Sequence, residues 1–72
     1  MRKRYNEYTI YDLDGQPIGI EFDADKAIFL AGRLARGLRQ PLVVSGYGVR
    51  YLVPPDPHAE WQPIPADWRP AY

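Results

Sequence analysis

Hydrophobic positions run at a strand period along the first part of the chain and then change to a helical one, and that change predicts the fold. Residues 5–13 (Tyr-Asn-Glu-Tyr-Thr-Ile-Tyr-Asp-Leu) are rich in aromatic and β-branched types, the composition of a strand. Asp14-Gly15 then marks a hairpin, because glycine accepts the positive φ that tight turns require. Residues 17–22 alternate, with Ile18, Ile20 and Phe22 on one side and Pro17, Gly19 and Glu21 on the other. A three-residue loop of Leu13, Asp14 and Gly15 would set Ile10 opposite Ile18 and Tyr8 opposite Ile20. That register makes one apolar face and leaves Tyr5, Thr9 and Tyr11 on the reverse.

Asp23 or Asp25 is placed to cap a helix, where a carboxylate meets free N–H groups and the positive end of the dipole. The helix is expected from about Ala24 to Arg39, stopping before Pro41, with Arg36 and Arg39 in its last turn. At roughly 100° per residue, Ala27, Ala31, Leu34 and Leu38 form one stripe, flanked by Ala24, Leu30 and Ala35. Alanines in its first half let the helix lie close to a sheet. Residues 42–45 and 49–53 read as two further strands, with Gly46 and Gly48 supplying the turn between them. The expected fold is α+β: strand, strand, helix, strand, strand, forming a small antiparallel or mixed sheet with one helix on one face.

Composition changes at Pro54. Six of the eight prolines fall in residues 54–70, together with Trp61 and Trp68. Such a stretch cannot be regular helix or central strand and reads as an extended arm. The expected organisation is therefore a basic N-terminal extension (1–4), a single ββαββ domain (5–53) and a Pro/Trp-rich tail (54–72). Disordered tails are poor in aromatics, whereas each tryptophan can bury some 150–250 Å². The tail is thus expected to fold back over the reverse face of the sheet, in cis or onto a second copy. Pro54-Pro55-Asp56-Pro57 has P-x-x-P spacing but lacks a well-placed basic flank.

At 72 residues the chain is one small domain, with no cysteine for a disulfide and a single histidine, His58. No structural metal and no cofactor are expected. The basic start, Met1-Arg2-Lys3-Arg4, is followed by Tyr5, Asn6, Glu7 and Tyr8 rather than by an apolar stretch, so no secretory signal is expected, and no apolar run approaches the roughly 20 residues of a membrane span. A cytoplasmic location is expected. Nine acidic and nine basic residues cancel, but residues 5–25 carry six acids and no base, while Lys26, Arg33, Arg36, Arg39 and Arg50 fall in residues 26–51 without an acid. A zero total can hide faces of opposite sign.

Phe29 breaks the helical pattern. It projects almost opposite the apolar stripe, beside Lys26, Arg33 and Arg36, with Gly32 nearby. Arginine and aromatic residues together favour binding hot spots. Phe29, Arg33, Arg36, Lys26, Trp61 and Trp68 are therefore the candidate partner-binding residues. Catalysis is not expected: Asp56-Pro57-His58-Ala59-Glu60 lies in a proline-rich arm, a poor place for a rigid, dry pocket. Asp12 with Asp14 and Asp23 with Asp25 sit where turns and helix starts want aspartates. No catalytic residue is expected.

The outline looks like that of many small bacterial and phage proteins that work by occupying the surface of something larger. The expectation is a non-enzymatic protein-binding protein and a possible homodimer, of which a regulator or inhibitor from a phage or mobile element is the most concrete version. The alternative is a nucleic-acid-binding module using the basic helix face and Arg2, Lys3 and Arg4, against which the pI near 6.5 counts.

Overall fold

The computed structural model describes residues 7–71; the basic extension, Tyr5 and Tyr72 lie outside the described residues. Four strands, β1 (Tyr8–Tyr11), β2 (Pro17–Glu21), β3 (Leu42–Gly46) and β4 (Val49–Val53), form one open sheet in the order β2-β1-β3-β4. Every neighbouring pair is antiparallel. One helix, α1 (Ala24–Leu38), crosses one face.

Local chemistry sets each boundary. Asp23 is the N-cap: its carboxylate accepts from the Asp25 N–H at 2.8 Å, and its carbonyl from the Ala27 N–H. Arg39, expected inside the helix, instead takes the left-handed conformation (φ 59°) and closes it, with both its N–H and that of Gln40 donating to the Ala35 carbonyl. The β3–β4 loop is just Tyr47 and Gly48, both at positive φ, the requirement of a type I′ turn. Gly46 is needed for space rather than φ, since a Cβ there would run into the ring of Tyr8.

Ala27, Ala31 and Ala35 are fully buried and let the helix approach Ile10, Leu42, Val44 and Val53; Tyr8, Leu30 and Leu34 close the rim. Leu38 is in phase with the alanines but stands at the end of the helix and is half-exposed. On the other face, Trp68 packs on Val43 and Leu52, with Tyr11 and Ile64 beside it. The sheet is thus covered by helix on one side and, in part, by the tail on the other.

The first hairpin departs from the expected register. Asp12 ends β1 two residues early because its carboxylate accepts from the N–H groups of Asp14 and Gln16, both at 2.9 Å, widening the turn. The ladder also shifts between Ile10 and Tyr11, so that Ile10 faces Gly19 and Thr9 faces Ile20. Cross-strand partners share a face, and the one-residue shift therefore turns Gly19–Glu21 over, with Ile18 the extra residue of the bulge. Gly19, not an isoleucine, lies on the helix side, where a Cβ would sit 3.5 Å from Ile10 and 3.8 Å from Leu30. Ile20, opposite Thr9, is carried to the reverse face and is 48% exposed; Ile18, in the bulge, is 40% exposed, and Phe22, just past the strand, is 68% exposed. β2 thus runs within van der Waals reach of Ile10 and Leu30 beneath α1 at this glycine.

Candidate protein-binding face

Helix α1 spends its alanines on the sheet, which leaves Lys26, Phe29, Arg33 and Arg36 on its solvent side. Phe29 is 67% exposed, and the Arg33 guanidinium carbon lies 5.9 Å from the centre of its ring, near the outer limit of a cation–π contact. Phe29 forms a ridge between two grooves. On the β4 side, Ile28, Gly32 and Arg36 of the helix face Pro54, Pro57 and Trp61 of the tail across a groove of about 210 Å³. On the β2 side, Lys26, Leu30 and Arg33 share a shallower groove with Glu21 and Asp25.

Trp61 makes the outer wall of the first groove. It is half-exposed and stands edge-on to Tyr51 of β4, with ring centres 6.3 Å apart at 78°. The P-x-x-P segment lines this groove alongside the helix. Gly32 forms an open floor: a Cβ there would meet nothing within 4 Å. The wall, ridge and floor together make a slot with an aromatic on each side and Arg36 within it.

Trp68 is not part of this face. It is 8% exposed on the opposite side of the sheet, where its indole N–H donates to the Asp12 carbonyl at 3.3 Å. Tyr11 meets it edge-on at 5.5 Å, and the Arg50 guanidinium carbon lies 5.3 Å from its ring centre. Of the six candidate residues, Phe29, Arg36 and Trp61 share the first groove, Lys26 and Arg33 flank the ridge on the other side, and Trp68 is an internal packing residue.

The charge blocks of the sequence do not become separate faces here, because Glu21 and Asp25 share a groove with Lys26 and Arg33. His58 is exposed in a turn held by Asp56, whose carboxylate accepts from the His58 N–H at 3.0 Å. Tyr47, 5.1 Å from Tyr8 between ring centres, has its hydroxyl held above the ordinary tyrosine pKa, first by desolvation and then by Tyr8. Among the described residues, no three His, Cys, Asp or Glu side chains come together as a metal site would need. None of the described helices is long and apolar enough to cross a membrane.

Sequence reasoning missed the exposed Ile18, Ile20 and Phe22 because alternation alone cannot say which face of a strand is covered. The signal available was Gly19, a small residue between two isoleucines, which marks a close approach. Compared with known protein families, with curated proteins and with solved structures, the chain matches none.

Proposed function

We propose that this chain is a non-enzymatic protein-binding module that regulates or inhibits a partner by occupying its surface through the Phe29 ridge and the adjoining Trp61 groove. The observation that carries this reading is Phe29 itself, a large aromatic 67% exposed on a helix, bordered by Arg33 and by a groove whose far wall is a second aromatic. Aromatic and arginine side chains around an open apolar floor are the anchors that dominate protein interfaces. Glu21 and Asp25 beside Lys26 and Arg33 disfavour a phosphate backbone as the ligand, since two carboxylates would face it.

The test compares the wild-type chain with Phe29→Glu and Gly32→Trp as immobilised baits in lysate, with circular dichroism as the control for folding. A single protein held by the wild type, retained at high salt and lost with both variants, supports the reading. Binding that falls steeply with salt and is competed by nucleic acid overturns it, as does a partner that both variants retain.

A further inference from the structure

Ile28, Gly32 and Arg36 follow one another four residues apart on α1, share one face of it, and form the helix wall of the Trp61 groove. Along that wall an apolar side chain, a gap and a cation are spaced at about 6 Å, from 1.5 Å per residue. The gap is open space, since a Cβ at Gly32 would meet nothing within 4 Å. Phe29 and Trp61 border it, and the groove holds about 210 Å³. A cavity of about 150 Å³ takes a benzene ring, so one large apolar side chain fits between the two aromatics.

Charge narrows what can lie there. Among the described residues lining the groove, Arg36 alone is charged and none is a carboxylate. From Lys26 to the end of α1 the helix carries Arg33 and Arg36 and no acid. The acids nearest in sequence to the opposite wall are Asp56, between Pro55 and Pro57, and Glu60, next to Trp61; both are exposed. A strand with a phosphate on every unit would meet those carboxylates, whereas one carboxylate set over Arg36 need not.

We infer that the groove takes an extended segment of a partner protein in which a large apolar side chain and a carboxylate stand two positions apart. Alternate side chains of an extended chain share a face at a spacing of about 6.6 Å, close to the step from Gly32 to Arg36, and the length of arginine takes up the difference. The apolar side chain fills the gap over Gly32. The carboxylate accepts from the Arg36 guanidinium, whose planar fork suits two carboxylate oxygens. This chemistry rests on the protein-binding reading of the face and names what the partner must carry.

The test selects random peptides displayed on phage against the immobilised full chain and, in parallel, against Arg36→Glu. The wild type is expected to enrich a large apolar residue with aspartate or glutamate two positions away. Arg36→Glu should enrich the same apolar residue with lysine or arginine in place of the acid. Arg36 is exposed, so circular dichroism of the variant should stay native. In fluorescence anisotropy, changing the acid of a selected peptide to its amide should weaken binding to the wild type roughly fivefold and leave binding to Arg36→Met unchanged. Peptides that Phe29→Glu and Gly32→Trp lose but that carry no acid, or an acid preference that survives Arg36→Glu, overturn the inference and leave the protein-binding reading standing. Failure to enrich any peptide does the same. Peptides retained by both groove variants overturn the two together. Capture of oligothymidylate that falls steeply with salt, or self-association of the chain that Arg36→Glu abolishes, identifies a different occupant and overturns the inference.

Discussion

The indole N–H of Trp68 donates to the backbone carbonyl of Asp12 at 3.3 Å, tying the tail to the turn that follows the first strand. The same carbonyl accepts from the Gly15 N–H at 3.0 Å, and the Ala71 N–H donates to the Gly15 carbonyl at 2.7 Å. One turn thus holds the tail at two points, with the indole filling the space over Val43 and Leu52 between the strands and the arm.

Trp68→Ala is expected to destabilise the chain by about 3–5 kcal/mol, the range for removing a large aromatic from a packed site. Trp68→Phe keeps much of the packing but gives up the hydrogen bond and should cost less. Urea unfolding followed by circular dichroism measures both. Equal stability of Trp68→Ala and wild type would remove the tail from the folding unit.

Gly15→Ala should be harmful for two separable reasons. Its φ of 87° is a region that side chains rarely adopt, and its Cβ would collide with the Arg69 carbonyl oxygen and the Ala71 nitrogen. The positive φ alone costs an L-residue about 1–2 kcal/mol. Ending the chain at Asp67 removes the collision, so Gly15→Ala should cost less in the shortened chain than in the full one. A double-mutant cycle between the two changes reads the difference.

Gly32→Ala and Gly37→Ala should each stabilise the fold. Both glycines are in the helix, both would place a Cβ in open space, and neither has positive φ. The expected gain is about 0.5–1 kcal/mol apiece, the difference between glycine and alanine in a helix interior. Thermal melts should show it as a higher midpoint in both. A loss at Gly32 alone would reveal a contact on the groove floor that the folded chain does not show.

Asp23→Ala should cost about 1 kcal/mol by freeing the Asp25 N–H at the helix start, and Asp23→Asn should recover most of that loss. The same replacement at Asp12 should be worse, because its carboxylate accepts two N–H groups in the turn that also receives the tail. Chemical unfolding of the three variants gives the order.

Much of the fold was legible because its signals are local. Asp23, the alanines at 27, 31 and 35 and the stop before Pro41 define the helix without reference to anything distant. The element order and the short β3–β4 turn follow from comparable cues. The pairing of Ile10 was not legible, since the side chain of Asp12 and one extra residue in β2 set the register. The same slip hid the exposure of Ile20 at the β2 edge. At the candidate site, helical periodicity placed Phe29 outward, but nothing in a proline-rich arm distinguishes a tryptophan that lines a groove from one that seals a sheet. Trp61 and Trp68 are seven residues apart in the same segment and end on opposite faces.

The closing of the turn on the tail also orders events in time. The contact between Asp12 and Trp68 spans 56 residues, most of the chain. During synthesis the last residue of β4 is added some fifteen residues before that indole, about a second earlier at ordinary translation rates. For that interval Val43 and Leu52 have no cover. The segment that dries the reverse side of the sheet is thus the last of the fold to be made.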